Sequence, residues 1–89
     1  MGGDMLIERQ WDILHDVYRE RQRQDQLKRE GRFAHTCADR DLTEHFKLAV
    51  LAEEFGEVAH AVCDGAQDLT REELIQVAAV CLAWIEGLQ

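Results

Sequence analysis

The chain has 89 residues and a mass of 10.3 kDa, and its 18 acidic against 10 basic side chains give it a formal net charge of −8. This length is that of one domain and excludes an enzyme with separate cofactor-binding and substrate domains. A pI near 4.8 argues against a nucleic-acid-binding module, and an apolar content of 46% excludes a disordered chain.

The first predicted element is a helix over about residues 4–29. Apolar side chains recur at i, i+4, i+7 and i+11, which is one face of a helix: Ile7, Trp11, Leu14 and Tyr18. Beyond Tyr18 the stripe nearly stops, and residues 19–32 hold six basic and three acidic side chains. The charge is therefore polarised, at +3 in this segment and −11 in the rest of the chain. Gly31 is predicted to end the helix.

Two further helices are predicted after a loop at about residues 31–40. One covers about residues 41–63, with Asp41 as its cap and Gly65 in the turn that follows it. The other covers about residues 69–88 and starts at Asp68 or Thr70; with Thr70 as the cap, Glu73 takes the third helical position. Residues 77–85 of this helix carry no charge, and a helix that is apolar all round must be surrounded by protein. We therefore predict an all-α bundle of three helices that is completed by oligomerisation.

The most informative feature is the position of the acidic side chains. Glu53, Glu54 and Glu57 share an arc of roughly 100° on the second helix, and Glu73 and Gln76 stand at i, i+3 on the third. A solvated acidic face is the ordinary interpretation of such a run, and helix capping is the ordinary role for Glu73. Two pairs of oxygen ligands on two helices, however, favour a site for a hard divalent cation such as Mg²⁺ or Mn²⁺.

These residues carry a resemblance to a known family. Residues 53–57 (EEFGE), followed after fifteen residues by ELIQ at 73–76, resemble the E-E-x-x-E and E-x-x-D signature of MazG-like nucleoside triphosphate pyrophosphohydrolases. The likeness is strong over about residues 42–85. It implies an all-α, Mg²⁺-dependent enzyme that hydrolyses a (deoxy)nucleoside triphosphate to its monophosphate and pyrophosphate, as in the cleaning of nucleotide pools. It also implies a homodimer or homotetramer.

The resemblance implies a set of site residues. The metal ligands would be Glu54, Glu57 and Glu73, with Gln76 at the position where the family has aspartate. Glutamine offers an amide oxygen and no charge, so this site would hold one negative charge fewer. Glu53 would position or activate the attacking water. The alternative is a non-catalytic or degenerate helical oligomerisation module of the same fold, which Gln76 favours and the three glutamates oppose.

The triphosphate would need cationic side chains and a stacking surface. Lys47 is the best-placed candidate for the phosphates, because it stands seven residues before Glu54 and so on the same face, and the basic segment adds Arg21, Arg23 and Lys28. Trp11 and Phe33 are the candidates for the base. The ordinary interpretations are a solvated basic helix end and rings that belong to the core or an interface.

Other partners and metals are not expected. The acidic side chains in the rest of the chain would repel nucleic acid from the basic residues 19–32. His35 and Cys37 are the only close pair with zinc-ligand character. No apolar run reaches the length of a membrane span, and residues 1–4 do not resemble a secretory signal. The three cysteines form no C-x-x-C pair, so we expect a cytoplasmic protein with reduced thiols.

Overall fold

The computed structural model describes residues 2–89, with side chains from Met5 onwards. It contains three α-helices: α1 (Gly2–Arg29), α2 (Glu44–Cys63) and α3 (Gln67–Leu88). Within residues 2–89 no β-strand is formed, so the predicted all-helical class is confirmed. None of these helices is both long and apolar enough to cross a membrane.

Helix α3 packs against both of the other helices. Helix α2 runs antiparallel to it, because Glu44 at the start of α2 accepts a hydrogen bond from the Trp84 indole near the end of α3 (2.6 Å). Helix α1 runs in the same direction as α3: Asp16 pairs with Arg71, and Arg21 pairs with Glu86 further along both helices. The first turns of α3 therefore face the middle of α1 and the end of α2.

The turns that end α1 and α2 are the two glycine turns expected from the sequence. Gly31 and Gly65 have positive φ values of 76° and 70°. Each donates its N–H to the carbonyl three residues back, and the next residue donates to the carbonyl five residues back. This is the Schellman arrangement, in which a residue without Cβ takes the left-handed conformation at no steric cost.

Both predicted N-terminal caps are wrong. Thr43 caps α2 in place of Asp41: its backbone is extended, and its hydroxyl accepts the N–H of Phe46 at 3.1 Å. Helix α3 begins one turn earlier than a cap at Thr70 would allow, because the Thr70 hydroxyl already donates to the Ala66 carbonyl within the helix. Glu73 therefore lies inside α3, and its carboxylate is free for another role.

A single chain buries little of its apolar surface. The buried apolar residues are mostly small: Val17, Leu27, Cys37, Ala61, Ala79, Val80 and Ala83. All four residues of the predicted stripe on α1 are exposed, with Trp11 at 65%. In the uncharged stretch of α3, Ala79, Val80 and Ala83 are buried while Ile85 is exposed. Much of the surface that one chain presents to solvent is therefore of the kind that proteins normally cover.

Residues 32–42, here called the strap, connect α1 to α2 and are organised around Asp39. Its carboxylate accepts the Lys28 ammonium (2.6 Å) and the Thr36 N–H (3.3 Å), and it lies 3.5 Å from the His35 ring nitrogen. Burial opposes ionisation of this carboxyl, but the Lys28 and Thr36 hydrogen bonds outweigh it and hold the pKa of Asp39 below its usual value. The strap is thus tied to α1 by a charge-assisted hydrogen bond.

We expect the substitution Asp39→Asn to lower the free energy of unfolding by about 1–2 kcal/mol at neutral pH, because it replaces a charge-assisted hydrogen bond by a neutral one. A depressed pKa stabilises the folded state above the ordinary pKa of aspartate, and this contribution is lost as the pH falls through the lowered value. The difference between the two proteins should therefore shrink below about pH 4. Urea unfolding between pH 3 and 7 measures it, and a difference that grows on acidification would contradict the assignment.

Candidate metal centre

Three carboxylates meet where the second half of α2 packs against the second turn of α3. Glu54, Glu57 and Glu73 each offer an oxygen, and these oxygens all lie within 4.8 Å of one another. Glu54 and Glu57 share a face of α2 because they are three residues apart, and the antiparallel packing of α3 sets Glu73 against them. Glu54 and Glu73 are half-buried, whereas Glu57 is exposed. The structure therefore brings together three of the four predicted metal ligands.

The cluster carries electrostatic strain. Burial raises the pKa of Glu54, and the charges of Glu57 and Glu73 raise it further. Burial also raises the pKa of Glu73, followed by the charge of Glu57 and a hydrogen bond between these two carboxyl groups. Among the side chains described, no lysine or arginine forms an ion pair with any of the three. A bound cation would neutralise charges that now repel one another.

The donor set fits a hard divalent ion. Mg²⁺ binds oxygen at about 2.0–2.1 Å in octahedral geometry, so two ligands on opposite sides of it stand about 4 Å apart. Oxygens within 4.8 Å of one another need only a small closing movement to reach one ion. The exposed Glu57 marks the side that is open to water and ligand.

The remaining residues of the predicted motif border the cluster. Gln76 follows Glu73 by one turn, is half-buried, and lines the same cavity as Glu54. Glu53 is exposed, and its charge is among those that raise the pKa of Glu54. The predicted roles of both residues stay predictions, because their positions beside the cluster do not test them.

One further acidic residue lies near the cluster and was not predicted from the sequence. Glu20 on α1 is largely buried, and its charge also raises the pKa of Glu54. It lies with Gln76 in a shallow depression of about 280 Å³, on the side where α1 meets α3. Glu20 was not predicted near the cluster, because it belongs to the basic segment 19–32 and no sequence signal shows that α1 runs beside the start of α3.

The structure pairs three of the four predicted phosphate-binding cations with acidic residues outside the cluster. Arg21 is buried and pairs with Asp25 and Glu86, each at 2.6 Å. The remaining pairs are Arg23 with Glu20 and Lys28 with Asp39. None of these three cations pairs with a carboxylate of the cluster, although Arg23 lies near the cluster through its pair with Glu20.

The Lys47 ammonium lies away from the carboxylate cluster. Its ammonium is beside Gly87, fourteen residues and so about 21 Å along α3 from Glu73. It was predicted on the face of Glu54, but two turns of helix carry its side chain towards the other end of the bundle. Two cations that had no signal in the sequence, Arg19 and Arg71, line the depression together with Gln76.

A cleft of about 380 Å³ is lined by residues of the strap and, of the three clustered carboxylates, by Glu54 alone. One end is formed by Glu54 and Gln76, and its walls include two aromatic rings, Phe33 and Phe46. The His35 ring packs edge-to-face on Phe46, with 6.1 Å between centroids. The polar side chains of Gln24 and Thr36 also line the cleft, and both residues are more than nine-tenths buried.

The structure separates the two predicted base-binding residues. Phe33 lines the cleft, whereas Trp11 lies thirteen residues before Gln24 on α1, about 20 Å along the helix. Trp11 is also one of the most exposed rings, at 65%. Phe46 and His35 were not predicted as cleft residues, because the way the strap folds back over α2 has no sequence signature.

Comparison with known proteins gives no relative: no protein family, no curated protein and no solved structure matches this chain.

Proposed function

We propose that the chain hydrolyses a nucleoside triphosphate, in its ribo or deoxy form, to the monophosphate and pyrophosphate with the help of Mg²⁺ or Mn²⁺. One observation carries the proposal: the carboxylates of Glu54, Glu57 and Glu73 form one cluster, and Glu54 of this cluster also lines a cleft whose walls include Phe33 and Phe46. A metal-bridged triphosphate with a stacking base needs these two features side by side. The resemblance to the MazG-like signature supports the same activity.

Each residue of the proposed site would have a separate role. The three glutamates would hold the ion, and Gln76, which lines the same cavity as Glu54, would add its amide oxygen as a neutral ligand. When bound, the ion supplies charge neutralisation between the carboxylates and the phosphates and activates the attacking water. Glu53, at the exposed edge, orients this water and accepts its proton.

The substrate would contact the chain on both sides of the ion. Phe33 and Phe46 stack on the base, while Gln24 and Thr36 offer polar groups to its edge. Arg19 and Arg71 are exposed beside Gln76 and could reach the far phosphates. Of the two, Arg71 would first have to exchange its partner Asp16 for a phosphate.

A homodimer or homotetramer in the cytoplasm belongs to the same proposal. The exposed apolar stripe on α1 and the exposed Ile85 on α3 would be covered by a second copy of the chain. The alternative function is a helical oligomerisation module without catalysis, and two observations favour it: Gln76 stands where the family has an acid, and this apolar surface is large.

The test measures pyrophosphate release from a panel of ribo- and deoxynucleoside triphosphates, with Mg²⁺ and with Mn²⁺. We expect turnover of at least one of them, and a metal-dependent rise in melting temperature even without nucleotide. An oligomer with no turnover on any nucleotide and no thermal shift with either metal would instead establish the non-catalytic module.

Gln76→Asp tests whether residue 76 faces the ion. The substitution adds a fourth charge to the site, so we expect roughly 10-fold tighter Mg²⁺ binding. Isothermal titration with MgCl₂ measures the affinity. Gln67→Asp is the matched control, since it adds the same charge to an exposed position nine residues, or about 13 Å, along α3. Equal affinities for wild type and Gln76→Asp would show that residue 76 is not a ligand.

A further inference from the structure

The most deeply buried large side chain of the described residues is a lysine. Lys47 on α2 is only 1% exposed. Its ammonium lies against Gly87 in the last turn of α3, where an added Cβ would stand 2.9 Å from it. The carbonyl oxygens of Ala38 and Cys37 approach the same point, to 3.0 and 3.1 Å. An ammonium group and two carbonyls of the strap thus converge on a space that is open only because residue 87 is glycine.

A buried ammonium must be paired or solvated by polar groups, because its transfer out of water is costly. Among the residues described, Lys47 forms no ion pair with a carboxylate. Carbonyl oxygens are the acceptors within its reach: those of the strap, and those at the end of α3, where the last carbonyls of a helix lack partners and the helix dipole favours a cation. The Lys47 ammonium is therefore surrounded by carbonyl acceptors that can stabilise its charge.

The position of these carbonyls connects Lys47 to the cleft. Residues 33–37 of the strap form one wall of the cleft, and Lys47 stands behind this wall without lining the cleft itself. Two other cations hold the strap elsewhere: Lys28 pairs with Asp39, and Arg40 donates to the carbonyl of Gln89. Both lie on the exposed side, so Lys47 is the only one of the three that holds the strap from inside.

We propose that Lys47 is a positioning residue that binds the Cys37 and Ala38 carbonyls across Gly87 and so keeps the strap closed as a wall of the cleft. The cleft's affinity for a ligand then depends on a side chain that does not contact the ligand. Its effect on the strap is independent of what the cleft binds; only its effect on a triphosphate substrate rests on the proposed function.

Gly87→Ala is the sharpest variant, with Gly56→Ala as its matched control. Both glycines are inside helices, where alanine is the better helix former, and a Cβ at Gly56 meets nothing within 4 Å. We expect Gly56→Ala to raise the melting temperature by a few degrees. Gly87→Ala should lower it instead, since the new methyl group displaces the ammonium and the carbonyls.

Amide hydrogen exchange by NMR separates a local role from a general loss of stability. The N–H groups of Ala38 and Asp39 are hydrogen-bonded within the strap. In Gly87→Ala and in Lys47→Met, which removes the charge without a clash, we expect these amides to exchange about 10-fold faster, while amides in the middle of α2 keep their rates. Unchanged strap amides in both variants, or equal acceleration throughout the chain, would overturn the proposal.

Kinetics add a readout that a purely structural role would not move. If a triphosphate is turned over, Lys47→Met should raise KM roughly 10-fold and leave kcat within about 3-fold, because the carboxylate cluster is untouched. Loss of kcat at unchanged KM would contradict the assignment. A protein with no activity on any nucleotide would refute the proposed function, yet the exchange rates would still decide the role of Lys47.

Discussion

Glu57→Gln is expected to stabilise the metal-free protein and at the same time to abolish its response to Mg²⁺. The substitution removes one of three carboxylates whose oxygens lie within 4.8 Å of one another. Because Glu57 is exposed, the relief of repulsion should be modest, a few tenths of a kcal/mol to about 1 kcal/mol. For a domain of this size this corresponds to a rise in melting temperature of about 1–8 °C. Under the proposed function, loss of a direct ligand should lower activity roughly 100-fold or more.

Thermal unfolding with and without MgCl₂ measures both effects. Wild type should gain stability when Mg²⁺ is added, and Glu57→Gln should start higher and gain little. Glu8→Gln on α1 removes the same charge from an exposed site outside the cluster and serves as the control. A lower melting temperature for Glu57→Gln, or a full Mg²⁺ response, would show that the three carboxylates do not act together.

The pH dependence of this difference has a definite sign. Burial and neighbouring charge raise the pKa of Glu54 and Glu73 above the ordinary value of 4.5. A carboxyl with a raised folded-state pKa favours the folded protein below the ordinary value, and this contribution is lost as the pH rises through the raised pKa. The advantage of Glu57→Gln over wild type should therefore grow between about pH 4.5 and 7. An advantage that is constant over this range would contradict coupled titration.

The double variant Asp25→Asn/Glu86→Gln is expected to cost about 2–3 kcal/mol of unfolding free energy, more than Arg21→Met. Arg21 is 5% exposed, while the side chains of its two partners are nearly half exposed. Burial opposes the charge of Arg21, but its hydrogen bonds to both carboxylates outweigh this and raise its pKa. Removing the acids leaves a buried guanidinium without a counter-charge, whereas removing the arginine leaves two acids that water can reach. The exposure of the partners keeps the figure below that of a fully buried pair.

Urea unfolding of the wild type, the double variant and Arg21→Met measures the asymmetry. Glu30→Gln, which breaks the exposed pair of Glu30 with Arg32, is the control and should cost less than about 0.5 kcal/mol. If Arg21→Met costs more than the double variant, the arginine stabilises the fold mainly by packing its stem. The same experiment bears on the sequence-based role of Arg21, since a residue that holds α1 to α3 is not free to bind phosphate.

Local patterns in the sequence were sufficient for the elements and for most of the acidic cluster. Helical periodicity predicts three helices, and Gly31 and Gly65 predict where two of them end, because each feature depends on a few neighbouring residues. The i, i+3 spacing puts Glu54 and Glu57 on one face whatever the rest of the chain does. The caps were less predictable, since Asp41 and Thr43 are both of the types that cap helices and only the path of the strap selects between them.

The positions of the cations could not be read from the sequence. Helix spacing favoured Lys47 and charge composition added Arg21, Arg23 and Lys28, but a charged side chain binds the partner that packing brings to it. Helix α3 carries Glu86 to Arg21, and the strap carries Asp39 to Lys28. Glu20, Arg19 and Arg71 border the cluster for the same reason.

The sequence by itself determined the all-helical class, the glycine turns and the presence of ligand-like carboxylates on two helices, because these depend on backbone conformation over a turn or two. Only the tertiary structure decided that α1 runs with α3, that the strap forms one wall of a cleft, and that Lys47 is enclosed behind it. These are contacts between residues far apart in the chain. They are selected by packing of the whole fold, for which no short stretch of sequence carries a signal.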